Sequence, residues 1–205
     1  MIKVCISGFT SSGKTTAADL VSKKLGIAHI HKSYKEYVKN ELEVAKFTDN
    51  ASDKFVKAFD EEIKKQAAAS GSCVLSTWLA PWFVEDATLR VWLYADIKIR
   101  SARWAKTYNI NLSEAEKLVL EKDQSEIKSI KRIYGIDLND RSIFDMVINT
   151  GKIPPQECAV GHHVLSAPVV GYRSLRACYS LYLFETMRPM HGLWQIKHLL
   201  SNLIE

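Results

Sequence analysis

The chemistry of this chain concentrates in one short run, Gly8-Phe9-Thr10-Ser11-Ser12-Gly13-Lys14-Thr15. Glycine, four residues, then Gly-Lys-Thr is the pattern of a phosphate-binding loop, or P-loop. Gly8 and Gly13 permit backbone torsions that a side chain would obstruct. The loop can then turn successive N–H groups inward as a concave anion site. A helix that follows adds unsatisfied N–H groups and the positive end of its dipole. Lys14 can reach β- and γ-phosphates, and the Thr15 hydroxyl is the candidate Mg²⁺ ligand. Gly8, Ser11, Ser12, Gly13, Lys14, Thr15 and Thr16 are therefore the candidate binding residues for a nucleoside triphosphate.

Other reactive side chains lie further on. His29 and His31 alternate on a presumed strand. An alcohol acceptor would need a general base, and His31 is the candidate; an acceptor that is already a phosphate anion would not. Trp78 and Trp82 follow the third strand and suit either base stacking or plain core packing. Arg100 and Arg103 are spaced i, i+3 and can face one site. Lys128, Lys131 and Arg132 belong to a charged helix and read either as phosphate contacts or as a solvated face. Asp96 reads as a metal-site acid or, more simply, as a helix N-cap. Cys5 and Cys73 sit in apolar runs, and none of Cys5, Cys73, Cys158 and Cys178 has metal-ligand spacing.

The elements that must position these residues follow from periodicity. Ile2–Ser7 reads as a buried strand, and Thr15–Leu25 as a helix ended by Gly26. Ala28–His31 is a short strand. Ser33 with Glu36 forms a capping-box signature, which predicts a helix through Tyr37, Val38, Leu42 and Val44. A second helix spans Ser52–Ala69, and Cys73–Leu75 is a strand. A short helix or turn over Trp78–Val84 is interrupted by Pro81. Leu89–Tyr94 is a strand and Ile97–Lys106 a helix. Ser113 with Glu116 opens a long helix to about Tyr134, and Phe144–Ile148 is the last strand. Strands alternating with helices predict a parallel sheet covered on both faces. Beyond Pro154-Pro155, the runs Ser174–Met187 and Leu193–Ile204 have helical spacing. They suit a helical hairpin packed on the main domain, or a dimer or partner surface.

The 205 residues, 47% of them hydrophobic, suit one domain with a sizeable core. A net charge of +5 is too small to argue for nucleic acid without clustering. The short apolar run before Gly8 is not a secretory signal, and no stretch of about 18 apolar residues suggests a membrane span. A cytoplasmic location is the expectation.

Several segments together resemble the archaeal-type cytidylate kinases, within the adenylate kinase-like nucleoside monophosphate kinases. They are Val4-Cys5-Ile6-Ser7-Gly8 through Gly13-Lys14-Thr15-Thr16; Leu79-Ala80-Pro81-Trp82 leading to Arg90-Val91-Trp92-Leu93; and Tyr134-Gly135-Ile136-Asp137, Asp140, then Asp145-Met146-Val147-Ile148-Asn149-Thr150. The resemblance covers about residues 1–157. It implies an α/β P-loop NTPase fold with a five-stranded parallel sheet flanked by helices, followed by a helical C-terminal extension over residues 158–205. It places an acceptor-binding segment near residues 32–70 and a lid near residues 104–134. The implied reaction moves the γ-phosphoryl group of ATP, with Mg²⁺, to a nucleoside monophosphate, CMP or dCMP foremost.

The resemblance also carries site residues, one at a time. Arg103 matches the lid arginine that lies against the ATP base. Ser125 and Glu126 match the family pattern. Thr107, Lys122 and Ser129 stand where arginines are usual, Lys35 aligns with an acceptor-site arginine, and Ser76-Thr77-Trp78 replaces Glu-Gly-Arg. Each lost arginine contact to a transferring phosphoryl group costs on the order of 3–4 kcal/mol. Nearby basic residues must compensate if the reaction is retained. The candidates are Lys14, Arg103 and Arg132 for catalysis, and Lys35, Trp78, Arg100 and Lys128 for the acceptor. Two other readings stay open: a regulatory or assembly ATPase without kinase activity, and a kinase for a different small acceptor.

Overall fold

The computed structural model describes residues 1–153. The C-terminal helices expected beyond Pro154, and the partner surface assigned to residues 158–205, lie outside the described residues.

Among the described residues, five strands form one sheet: β1 (Lys3–Gly8), β2 (Ala28–Ile30), β3 (Cys73–Leu75), β4 (Leu89–Tyr94) and β5 (Met146–Asn149). Their order is β2-β3-β1-β4-β5 and every pairing is parallel. Six α-helices connect them: α1 (Lys14–Leu25), α2 (Val44–Asn50), α3 (Asp53–Ala69), α4 (Ala80–Phe83), α5 (Ile97–Tyr108) and α6 (Leu112–Tyr134). The sheet is buried on both faces because its strands are apolar at both parities. Cys5, Cys73 and Leu75 pack towards Val56, Phe59 and Ile63 of α3. Val4, Ile6, Val74, Val91 and Leu93 pack towards Ala17 and Ala18 of α1. The two cysteines are buried and free, in keeping with small core residues.

Parallel strands point all their C-termini to one edge. The loops after β1, β2, β3, β4 and β5 therefore gather there. From β1 the chain crosses to β2 at one edge, returns to β3 beside β1, and then passes over β1 to β4 on its other side, so the connections diverge and open a crevice at this switch point.

The expected helix from Ser33 is corrected. The capping box forms, with Ser33 accepting from the Lys35 amide and Glu36 reaching back to the Ser33 amide. It starts only one 3₁₀ turn, Tyr34–Tyr37, which ends at extended Val38. The reason lies in packing: Tyr34 turns inward against Phe59, ring centroids 4.7 Å apart, and also meets Phe47 and Phe55. A helix continuing through Leu42 would not close that aromatic cluster. The start of α6 is corrected too. Asn111 caps it by accepting from the Glu114 amide at 2.8 Å, two residues before Ser113. Asp96 caps α5 through the Lys98 amide, as the simpler reading has it.

Gly8 is the tightest point of the fold. Its φ is 151°, and a Cβ there would lie 2.4 Å from the Leu93 carbonyl oxygen and 2.6 Å from Ser12 Oγ. Gly13 has φ 96°, and a Cβ there would meet nothing within 4 Å. Gly8→Ala is expected to lower unfolding free energy by about 3 kcal/mol or more. Gly13→Ala is expected to cost about 1–2 kcal/mol. Urea unfolding of both variants checks the order.

Candidate active site

The P-loop is held from outside through its carbonyls. Lys14 Nζ donates to the carbonyls of Gly8 at 2.7 Å and Phe9 at 2.9 Å. Arg100, from α5, donates to the Thr10 carbonyl at 3.0 Å. Arg103, one turn on, donates to the Ser11 carbonyl at 3.2 Å. Thr150, after β5, donates its hydroxyl to the Ser12 carbonyl at 2.7 Å. Every carbonyl from Gly8 to Ser12 thus has a donor. The first-turn amides of α1 stay available for an anion, since no side chain caps that helix. Thr10 Oγ1 and Ser12 Oγ are buried without a hydrogen-bond partner. Unpartnered buried hydroxyls in such a loop suit a ligand rich in acceptor oxygens.

A buried ion pair anchors this arrangement. Asp123 of α6 takes Arg100 at 2.6 Å and accepts from the Thr10 amide at 2.9 Å. Arg100 also donates to the Ala95 carbonyl at 3.1 Å. Both side chains are 8% exposed. Such a pair is tolerated in the interior when further hydrogen bonds offset its desolvation, and these backbone partners supply them.

A cavity of about 450 Å³ opens above the loop. Thr10, Ser11, Gly13, Lys14, Thr15 and Thr16 form its floor. One wall comes from the turn after β2 and from α3, with Lys32, Lys35, Tyr34, Phe59 and Asp60. The other comes from α5 and α6, with Trp104, Thr107, Lys122, Glu126 and Ser129. His31, Ser76, Thr77 and Trp78 close the end nearest β2 and β3. Among the described residues, four lysines line the cavity, Lys14, Lys32, Lys35 and Lys122, and no arginine does. Lys35 Nζ bonds the Tyr108 hydroxyl at 2.7 Å, and Lys32 pairs with Glu62 at 2.6 Å.

The expected site residues divide accordingly. Lys14, Thr15, Thr16, Gly13, Ser11, Lys35 and Trp78 are brought together at the cavity. Trp78 lies with its ring centroid 4.9 Å from Lys14 Nζ. Gly8 and Ser12 shape the loop from beneath. Arg100, expected to touch the acceptor, is turned away into the ion pair. Arg103 is held at Ser11 and at the Thr150 carbonyl, 2.6 Å away. Arg132 and Lys128 are placed outside the cavity: Arg132 pairs with Asp53 on the surface, and Lys128 is exposed. Helical phase explains this, because Lys122, Glu126 and Ser129 share the inward face of α6 and Lys128 and Arg132 do not. Trp82 packs edge-on against Phe144 at 5.3 Å, in the core. Sequence reasoning missed Asp123, Asp60 and Lys32; only long-range contacts give them their roles.

Crowded charge shifts the titration of the cavity groups. Burial, aided by Lys122 and opposed by Asp123 and Glu126, brings Lys14 down to about 7. Burial pushes Glu126 up to about 7 against the pull of Lys122. Burial likewise raises Asp60 to about 6, although Tyr134 donates to its carboxylate at 2.7 Å.

Fold and site together define a P-loop kinase that handles nucleotides. Residues 31–152 match the cytidylate kinase-like family. Cytidylate kinase of Pyrococcus horikoshii is 31% identical over 159 residues, 75% of this chain and 82% of that protein. Cytidylate kinase of Sulfurisphaera tokodaii is 34% identical over 160 residues, with 75% and 89% covered. Among solved structures, shikimate kinase from Acinetobacter baumannii, in complex with shikimate, superposes with a TM-score of 0.52 at 12% identity, over 92% of this chain and 96% of that one. That likeness shows the P-loop kinase fold. The chain belongs to the cytidylate kinase-like family and is a nucleoside monophosphate kinase-like enzyme. No helix among the described residues is long and apolar enough to cross a membrane.

A polyphosphate bound over the loop would raise Lys14 back towards its ordinary range. Binding at pH 8 is therefore expected to take up about one proton at Lys14, and the uptake should shrink towards pH 6. Affinity should weaken as pH rises above 7. Calorimetric titrations with ATP in buffers of different ionisation heat measure this, and Lys14→Met should remove most of the uptake at pH 8.

Proposed function

We propose that the enzyme transfers the γ-phosphoryl group of ATP to a nucleoside monophosphate, with CMP or dCMP as the preferred acceptor. The observation that carries this reading is the convergence of four lysines on one cavity whose floor is the P-loop. Donor and acceptor together bring several negative charges to one place. Catalysis of such a transfer rests on positioning and charge neutralisation. Lys14 and the α1 amides hold the donor β- and γ-phosphates. Lys35 and Lys122 face the acceptor side, at positions where the family resemblance expects arginines, and Lys32 adds to the same field. Arg103 holds the loop and lies on the side where the family's ATP base rests. The acceptor pyrimidine fits the wall of Tyr34, Phe59 and Asp60, where a carboxylate can accept from an exocyclic amine.

The donor set at the loop fits Mg²⁺. Among the described residues no three His, Cys, Asp or Glu side chains gather to cage a metal. Mg²⁺ is usually held by substrate phosphates and waters with one or two protein oxygens, and the Thr15 hydroxyl supplies one. When bound, the ion neutralises charge that develops between the β- and γ-phosphates.

An acceptor already anionic needs no general base, so charge placement sets the rate. Point-charge ammonium groups replace bidentate guanidinium forks here, which predicts a functional but slower transfer. ADP formation from ATP and Mg²⁺ should be stimulated by CMP or dCMP above AMP, GMP and UMP. Lys14→Ala should lower it by about 10²-fold or more, and Lys122→Ala by about 10-fold or more. ATP binding or slow hydrolysis with no stimulation by any monophosphate would favour a regulatory ATPase instead.

A further inference from the structure

A chain of hydrogen bonds reaches the cavity from behind β2. Asp19 Oδ1 lies 2.6 Å from His29 Nδ1, and His29 Nε2 lies 2.8 Å from Ser76 Oγ. His31 Nδ1 lies 3.0 Å from the same Oγ and 3.1 Å from the Ser76 carbonyl oxygen. A carbonyl only accepts, so His31 Nδ1 carries the proton. A carboxylate also accepts, so His29 Nδ1 donates to Asp19. With His29 neutral, its Nε2 takes the Ser76 hydroxyl proton, and the Ser76 lone pairs face His31. This set of directions is self-consistent. It leaves His31 Nε2 as an unprotonated lone pair on a ring that lines the cavity.

We infer that the same cavity also phosphorylates a neutral hydroxyl acceptor of nucleoside size, with His31 Nε2 as the general base and Ser76, His29 and Asp19 as positioning residues. The inference rests on the kinase fold and not on the CMP reading. A monophosphate acceptor needs no base, so a relay that fixes one imidazole tautomer has no task in that reaction. A network serving only to tie β2 to β3 would end at buried Ser76, 1% exposed, whereas this one continues to an exposed ring at the cavity. Trp78 gives a second, independent indication. It occupies the cavity end beside Lys14, where an indole offers no fork to an acceptor phosphate but a good face to a sugar or base. Tyr34, Phe59, Trp104 and Tyr108 supply further ring surface.

The step balances without a redox partner. The hydroxyl oxygen forms a bond to the γ-phosphorus of a nucleoside triphosphate. The bond from that phosphorus to the bridging oxygen breaks, and the electron pair leaves on the nucleoside diphosphate. The hydroxyl proton passes to His31 Nε2 and on to water. The titratable groups facing His31 are His29, Lys14 and Glu36. Partial burial holds the imidazole below its ordinary range, with His29 and Lys14 acting the same way and the Ser76 carbonyl and Glu36 opposing. The ring is thus unprotonated, and able to accept, at neutral pH.

The test uses the full chain with ATP or GTP and Mg²⁺ and a panel of ribo- and deoxyribonucleosides, with CMP alongside and Lys14→Ala as the inactive control. The phosphorylated product is read by ³¹P NMR and mass spectrometry. The expected result is a nucleoside monophosphate product. In His31→Gln its rate should fall about 10²-fold or more, while transfer to CMP falls far less. Ser76→Ala and His29→Gln should give smaller losses of the same selectivity. The acidic limb of the wild-type pH–rate profile for the hydroxyl acceptor should be absent in His31→Gln. Absence of any phosphorylated nucleoside would overturn the proposal, and so would equal loss of both activities in His31→Gln. If nucleosides are phosphorylated but CMP is not, the CMP reading fails and this one stands.

Discussion

The contact between Asp123 and the P-loop holds the site together. One carboxylate, 113 residues away in sequence, accepts from the Thr10 amide and neutralises Arg100, which in turn binds the Thr10 carbonyl. Three elements meet at that point: the loop after β1, helix α5 and helix α6. Desolvating two charges is costly and is offset only when every remaining polar atom is satisfied. Here Asp123 also accepts from the Thr10 amide, and Arg100 also donates to the Thr10 and Ala95 carbonyls. Arg103 and Thr150 complete the cage by taking the next two carbonyls. The anion site is a consequence, because a loop whose carbonyls are all engaged outward has its helix-start amides left for a ligand.

That arrangement also explains why the basic residues are divided as they are. The arginines near the loop serve its backbone, where planar guanidinium groups bridge several carbonyl and carboxylate oxygens at once. The lysines line the cavity, and Lys14 among them also holds the Gly8 and Phe9 carbonyls. Lys14 is brought down to about 7 by burial and by Lys122, and Glu126 is pushed up to about 7 beside it. With Lys14 brought down and Glu126 pushed up, the empty site buries less charge; arriving phosphates favour the protonated form of both, so Lys14 gains charge while Glu126 is held neutral. Proton uptake at Lys14 when phosphates bind is the expected consequence.

Much of this was legible in the sequence, for local reasons. Gly8 to Thr15 announces its function because its residue types answer torsional needs within one turn. The strands at Cys73–Leu75 and Leu89–Tyr94, the helix over Ser52–Ala69 and the stop at Gly26 were also readable locally. What failed to show was non-local. The Ser33 capping box is real, yet Tyr34 is drawn into an aromatic cluster with Phe47, Phe55 and Phe59, and tertiary packing ended the helix after one turn. Lys122 and Lys128 look alike in sequence, and only the phase of α6 turns one inward and the other out. Asp123 reads as one acid among many in a charged helix until Thr10 and Arg100 are set against it. The pairing of His29 and His31 through Ser76 needed β2 and β3 in register.

Hydrogen–deuterium exchange on Asp123→Asn, with and without ATP, tests most directly whether this carboxylate organises the phosphate site. The substitution keeps the shape of the side chain and removes its charge. Exchange across residues 8–16 should quicken by at least about tenfold while peptides from β3 and β4 stay protected, and ATP should protect the loop less. Unchanged loop protection, together with unchanged protection by ATP, would contradict the account and leave the loop held by its own sequence alone.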